Sequence, residues 1–337
     1  MIKEIRYKNF KALRDTTLPL GQFTLIVGAN GTGKTTAMKA LDYFNQPNVR
    51  DYEKLKSIDS TNDTVIDIEI DVGGNILKTV WNSIKFQSLF SENGTTFKQF
   101  INGQNEEFRL TEIENEIKSF QLFSFDSSKI AETSKITSEK NLKRDGHNIA
   151  GVLDLLKDSE PERFDALNEE IVKWFPEYDR ILFDRDDYGK FIVLRTKIGQ
   201  HKIKAEDLSD GTRLALAYLT IAYLPNPPKI VCFEEPERGI HPRLLNNIQE
   251  AMYRLAFPAN YGEKREPIQV VATTHSPYLL DLYKDNPEEI VIAEKDENGV
   301  HFQNLSKMKN IDKILQGGES LGEVWFTGVL GGVPANI

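Results

Sequence analysis

Gly28-Ala29-Asn30-Gly31-Thr32-Gly33-Lys34-Thr35-Thr36 satisfies the spacing G-x-x-x-x-G-K-[ST]. Residues 22–27, immediately before it, predict a strand. Residues 34–44 place Ala37, Ala40, Leu41 and Phe44 on one face at helical spacing. A strand that runs through a Gly-rich turn into a helix is built to hold phosphate. Glycines reach backbone angles closed to other residues and let amides approach the anion. The helix presents its positive end to the same anion. Lys34 is placed to neutralise β- and γ-phosphates, and Thr35 to ligate Mg²⁺.

Three later stretches supply the other parts of a phosphate-transfer site. Residues 230–233 predict a short buried strand ending in Glu234-Glu235-Pro236. In open α/β sheets the ligand crevice lies at the carboxyl edge of the strands. Two adjacent carboxylates delivered there suit Mg²⁺-nucleotide chemistry, with Glu234 assigned to the metal and Glu235 to the attacking water. A second strand, 269–273, leads to His275 at the same kind of edge, where a histidine can hydrogen-bond a γ-phosphate. Leu208-Ser209-Asp210-Gly211-Thr212 opens an apolar helix over 211–224. Ser209 suits its N-cap. A hydroxyl with exposed amides at a helix start is a second anion site, which makes sense if it closes over nucleotide held by another protomer.

The whole chain is consistent with this. It has 337 residues, 39% hydrophobic and 28% charged, as expected of a soluble globular protein able to bury a sizeable core. Its one cysteine, Cys232, excludes an internal disulfide and reads as a buried thiol. The N-terminus lacks a signal-like core and no run approaches membrane-spanning length, so a cytoplasmic location without membrane insertion is expected. The net charge of −9 argues mildly against broad nucleic-acid binding but leaves a local basic groove open.

Residues 65–72 alternate, with Ile66, Ile68, Ile70 and Val72 opposite Asp67, Glu69 and Asp71. That predicts a half-buried strand with a solvated acidic face, paired through a Gly73-Gly74 turn with 75–86. Residues 111–175 read as mostly helical, with capping-box spacing at Ser159-Glu160-Pro161-Glu162, a stripe of Leu167, Ile171, Trp174 and Phe175, and a polar, mobile run at 135–145. Strands are expected at 180–183 and 191–196, and helices at 242–257 and 276–283. No sustained heptad pattern or internal repeat is present, and the Gly-rich residues after Gly328 carry no readable signal. The expected fold class is α/β, a mixed sheet with helices on both faces, an antiparallel β subdomain and a helical insertion. The expected divisions are 1–110, 111–175 and 176–337.

The order of phosphate loop (28–36), signature (208–212), acidic strand (230–235) and His275 resembles the ABC ATPase superfamily, with its P-loop NTPase head. More narrowly it resembles the SMC/RecF-like branch, near the stand-alone predicted ATPases related to OLD nucleases. Glu235-Pro236-Glu237-Arg238-Gly239-Ile240-His241-Pro242, Thr274-His275-Ser276-Pro277 and Leu321-Gly322-Glu323-Val324-Trp325 carry the narrower likeness. The resemblance implies ATP and Mg²⁺ as ligands and ATP hydrolysis as the activity. It also implies a homodimer or higher homo-oligomer in which Lys34 of one protomer and Ser209 and Gly211 of the other touch the same nucleotide. Glu235, His275 and Lys34 take the catalytic roles. Thr35, Glu234 and, as a candidate, Gln121 take the metal.

There are departures. The usual signature is Leu-Ser-Gly-Gly-Gln, and here Asp210 and Thr212 replace Gly and Gln. Glu234 stands where Asp is usual, and His241 near where transporter ATPases carry an aspartate. No coiled-coil arm, nuclease domain or serine-nucleophile elbow is evident. The expected role is an ATP-dependent switch or clamp in DNA repair or defence against phage and mobile elements. It would work with a separately encoded effector, and nucleic acid is left open as a partner. The alternatives are the ATPase subunit of a membrane transporter, or a nucleotide-binding interaction module with little turnover.

Overall fold

Alternation of apolar and polar residues builds the N-terminal sheet. The computed structural model describes residues 1–45, 52–57, 65–72, 75–81, 86–92, 95–101, 117, 119–135, 138–309, 311, 314, 318 and 320–332. Strands β1 (Glu4–Phe10), β2 (Leu13–Pro19), β4 (Ile66–Val72), β5 (Asn75–Trp81), β6 (Phe86–Glu92) and β7 (Thr95–Ile101) form an antiparallel sheet in the order β2-β1-β4-β5-β6-β7. Between them, β3 (Phe23–Val27) leads to the Lys34–Asn45 helix. Ile66, Ile68 and Ile70 are buried, as period-2 patterning requires. The acidic face is not simply solvated. Lys78 of β5 bridges Asp67 at 2.7 Å and Glu69 at 2.6 Å, because cross-strand neighbours on one face lie close enough to pair. The Gly73-Gly74 turn lies outside the described residues.

By its contacts the chain divides into two compact units, Met1–Phe120 with Gln269–Ile337, and Gln121–Ile268. In the second unit β8 (Gln121–Phe123) pairs in parallel with β12 (Ile230–Glu234). β9 (Tyr178–Asp186), β10 (Gly189–Thr196) and β11 (Lys202–Lys204) form a separate antiparallel sheet. Helices span Ser127–Ile130, Ile149–Ser159, Pro161–Trp174, Asp210–Tyr223 and Leu245–Ala256. Rings of Phe123, Phe125, Tyr218 and Phe233 pack at centroid distances of 5.1 to 5.7 Å behind the acidic strand. Burial pushes the Tyr218 hydroxyl well above the usual tyrosine range. The capping box at 159–162 does not form. Ser159 closes the preceding helix and donates to the Leu155 carbonyl at 2.8 Å, a back-bond that competes with capping. Pro161 still occupies the first helical turn, where its missing N–H costs nothing.

The chain then returns to the first unit. β13 (Gln269–Thr274) and β14 (Ile290–Asp296) flank β3, both parallel to it, and β15 (Gly299–Asn304) runs antiparallel to β14. Every residue of β3 and β13 is buried. Near-continuous apolar strands are what a parallel sheet covered on both faces requires. Gln269 is polar in that core and fully used: its amide accepts from the Ile2 N–H at 2.9 Å and donates to the Ile2 and Gly21 carbonyls at 2.7 and 2.8 Å. Helices Pro277–Asp281 and Leu321–Phe326 complete the unit. The α/β class with an antiparallel subdomain is as expected. β14 and β15 are additional to the strands read from sequence.

Candidate nucleotide site

The phosphate loop forms as its residue types dictate. Gly31 and Gly33 sit at φ 82° and 79°, conformations that favour glycine. Gly28 is constrained by space: a Cβ there would lie 2.5 Å from the Ala293 carbonyl oxygen and 2.8 Å from Thr32 Oγ1. Thr32 Oγ1 donates to the Ala29 carbonyl at 2.9 Å and is buried. Lys34 is only 6% exposed, and its ammonium donates to the carbonyls of Gly28 at 2.7 Å and Ala29 at 2.9 Å. A buried ammonium needs such partners, since an unpaired charge there would be costly. Asn30 is exposed, and Thr35 and Thr36 are half-buried at the start of the helix.

Register brings His275 to this loop. β13 pairs with β3 so that Thr274 stands opposite Val27, and the Gly28 N–H donates to the Thr274 carbonyl at 3.3 Å. His275 therefore leaves the sheet beside Gly28, exposed to solvent. Ser276 caps the following helix by accepting from the Leu279 N–H at 3.3 Å, which fixes the chain directly after the histidine.

The second unit carries the acids and the signature. Glu234 ends β12, and Glu235 turns out of it at φ 48°, a left-handed conformation rare for a residue with a side chain. The turn is closed by the Arg238 N–H donating to the Glu235 carbonyl at 2.9 Å. Backbone strain of this kind costs about 1–3 kcal/mol and persists where the surroundings over-determine it. Arg144 lies 3.7 Å from Glu234, and its carbonyl accepts from the Ser124 N–H at 2.9 Å. Ser124 and Arg144 are neighbours of Glu234 that sequence reasoning missed. The 135–145 run has no periodicity to read; of its residues, Arg144 and Asp145 are tied through their carbonyls to the N–H groups of Ser124 and Asp126.

Gln121 is placed otherwise. It pairs with Val231, at the far end of β12 from Glu234, and its side-chain amide donates to the Leu142 carbonyl. The structure does not bring it to the carboxylates.

At the signature, Ser209 caps the Asp210–Tyr223 helix, accepting from the Thr212 N–H at 3.1 Å. Asp210 accepts from Ser127 Oγ at 2.8 Å and Arg213 Nη2 at 2.6 Å, and these two hold its carboxyl below the usual carboxylate range. The extra negative charge at this helix start is thus partnered by a cation on the next turn. An open cleft of about 730 Å³ lies over Ser209 and Gly211 and is also lined by Gly239, His241 and Arg243. Gly239, at φ 74°, presses against the helix: a Cβ would lie 2.8 Å from Leu214 Cδ1. Gly239→Ala is expected to destabilise the fold by about 1–3 kcal/mol, from the positive φ and the clash together, seen as a lower denaturant midpoint at unchanged slope.

The residues fit a Mg²⁺-nucleotide. The loop has no room for a side chain at Gly28, its lysine is buried, and Thr35 in the same unit is a hard oxygen donor; Glu234, in the second unit, is another. Among the described residues no three or more His, Cys, Asp or Glu side chains converge as a ready-made metal cage. That suits Mg²⁺, which keeps water and takes substrate phosphates as ligands.

The family model described as "AAA domain, putative AbiEii toxin, Type IV TA system" matches residues 23–281, from β3 to the helix after His275. The chain belongs to this family. This AAA-domain protein is also 55% identical over 42 residues to the OLD nuclease of Thermus scotoductus, a match that spans 12% of this chain and 8% of that relative. Its fold is similar to a solved SmcHead bound to the C-winged helix domain of ScpA, at TM-score 0.56 and 14% identity over 92% of this chain and 99% of the other. It is similar also to an Smc head domain with a coiled coil and joint derived from Pyrococcus yayanosii, at TM-score 0.54 and 12% identity over 94% and 99%. The likeness to these two solved structures shows that the AAA-domain protein shares the fold of SMC head domains. No helix among the described residues is long and apolar enough to cross a membrane.

Proposed function

We propose that this AAA-domain protein binds and hydrolyses ATP and closes with a second copy over the nucleotide. The observation that carries this is the Thr274–Val27 register, which sets His275 beside a loop whose glycines and buried Lys34 are built for phosphate. Lys34 takes the charge developing on the β- and γ-phosphates, and Glu235 polarises the attacking water. Thr35 and Glu234 would hold Mg²⁺, which supplies further charge neutralisation when bound. His275 hydrogen-bonds the γ-phosphate. Ser209 and Gly211 close on the nucleotide of the partner copy, using the amides at the start of the signature helix.

The role we infer is a switch or clamp acting on nucleic acid, in repair or in defence against mobile elements, with a separately encoded effector. A local feature supports the nucleic-acid reading in a chain of net charge −9. A cleft of about 340 Å³ in the first unit is lined by Lys11, Arg14, Lys54, Lys56 and Lys295 against Asp296 and Glu297. Its shape is set by backbone. Lys11 sits at φ 51°, its N–H donates to the Leu55 carbonyl at 2.7 Å, and its carbonyl accepts from Ser57 Oγ at 2.7 Å. Cations held together this way favour an anionic partner such as a phosphate backbone.

The test is the steady-state ATPase rate with and without double-stranded DNA carrying free ends, with Glu235→Gln as the blank. Stimulation by DNA is expected, falling with salt. Lys54→Glu with Lys56→Glu should remove the stimulation while the DNA-free rate stays as in wild type. A rate that DNA does not change would leave the ATPase reading standing and assign regulation to a protein partner.

A further inference from the structure

The C-terminal residues 320–332 touch both ends of the phosphate-sensing half of the site. At one end, Ser320 Oγ donates to the two carboxylate oxygens of Asp281 at 2.9 and 2.8 Å, and the Gly322 N–H donates to the same carboxylate at 2.8 Å. Asp281 closes the helix that starts directly after His275 and Ser276. Gly322 lies so close that a Cβ would sit 2.4 Å from the Pro277 carbonyl oxygen. At the other end, the Gly332 carbonyl accepts from the Ala29 N–H, inside the phosphate loop, at 2.6 Å.

The span between these attachments is packed. Leu321, Trp325 and Leu330 are buried. Gly331 and Gly332 adopt φ 71° and 72°. A Cβ on Gly332 would lie 3.0 Å from Ile292 Cγ2, 3.1 Å from the Ala293 carbonyl oxygen and 3.3 Å from Trp325 Nε1. The same Ala293 carbonyl stands against Gly28. Trp325 and the Gly331–Gly332 turn thus wedge against the middle of β14, at Ile292 and Ala293, where it borders the loop.

We infer that residues 320–332 are a positioning brace that sets the phosphate loop, through Ala29, relative to the helix behind His275. Asp281 and Gly332 are its two positioning residues. The brace rests on the nucleotide reading for its purpose, but not for its existence. A packed segment attached at two points transmits displacement from one to the other, because close-packed interiors do not absorb strain locally. Releasing Asp281 should therefore loosen Ala29, which Asp281 does not touch.

The experiment is amide hydrogen exchange at Ala29 in the full chain, comparing wild type, Asp281→Ala and the milder Ser320→Ala, with the β3 amides as internal reference. ATP affinity is measured alongside. The expected result is exchange at Ala29 at least about tenfold faster in either variant, with β3 unchanged, because the opening free energy of one tethered amide falls by roughly the worth of a hydrogen bond. Gly332→Val should give the same change, and Asp281→Ala with Gly332→Val together should add little to either alone, since a brace cut at one end has no tension left to lose. Unchanged exchange at Ala29 in folded Asp281→Ala or Ser320→Ala would overturn the brace, as would changes that multiply in the double variant. These exchange readouts hold whether or not the protein binds ATP. Wild type that protects Ala29 in this way but binds no ATP would instead count against the nucleotide reading.

Discussion

Glu235→Gln should lower turnover about 10²–10⁴-fold, the usual worth of a positioned general base, while leaving ATP affinity close to wild type. Glutamine keeps the length and hydrogen-bonding reach of the side chain and removes only its charge and basicity. The backbone at this position, at φ 48° and closed by the Arg238 N–H, is the same for both residues, so the aim of the side chain is retained. Nucleotide should then accumulate in the bound, unhydrolysed state. Two copies closed over ATP would persist as a dimer, visible by light scattering during size exclusion. Phosphate release measured against equilibrium nucleotide binding separates the steps. Wild-type turnover in this variant would remove Glu235 from its catalytic role. Weak binding with no trapped dimer would mean that the carboxylate serves to hold nucleotide.

Lys34→Ala should weaken ATP binding by about 2–4 kcal/mol, roughly 30- to 1,000-fold in Kd, the order expected when one partner of a buried charge-assisted pair is lost. Lys34 is 6% exposed and holds the Gly28 and Ala29 carbonyls. Its removal therefore has two consequences. Phosphate loses its cation, and two carbonyls lose a donor, which adds a smaller cost to the fold of the loop. Isothermal titration with ATP, with circular dichroism to confirm folding, distinguishes the two. ADP should be affected less than ATP if the ammonium reaches the γ-phosphate. Unchanged ATP affinity in a folded variant would count against the phosphate-loop assignment.

The phosphate loop was readable because its chemistry is contiguous. Glycine spacing, the lysine and the change from strand to helix periodicity all fall within residues 22–44. Glu234, Glu235 and His275 were readable for a related reason: each follows a short apolar run that could only be a buried strand. Ser209 was legible as a cap from its place before an apolar helix, and the structure has it accepting from Thr212.

What lay outside local pattern was decided by pairing at long range. The β8–β12 register leaves Gln121 beside Val231 and sends Ser124 and Arg144 toward Glu234. A shift of register would have placed them otherwise, and no spacing in the sequence specifies it. The Gly-rich residues beyond Gly328 carried no signal, yet Gly332 meets Ala29 across most of the chain. By itself, then, the sequence determined which residues are candidates for phosphate chemistry and where the strand and helix around the phosphate loop lie, because covalent spacing sets local conformation. Only the tertiary structure decided which of those residues stand beside which, because strand register and core packing are cooperative outcomes of the whole fold.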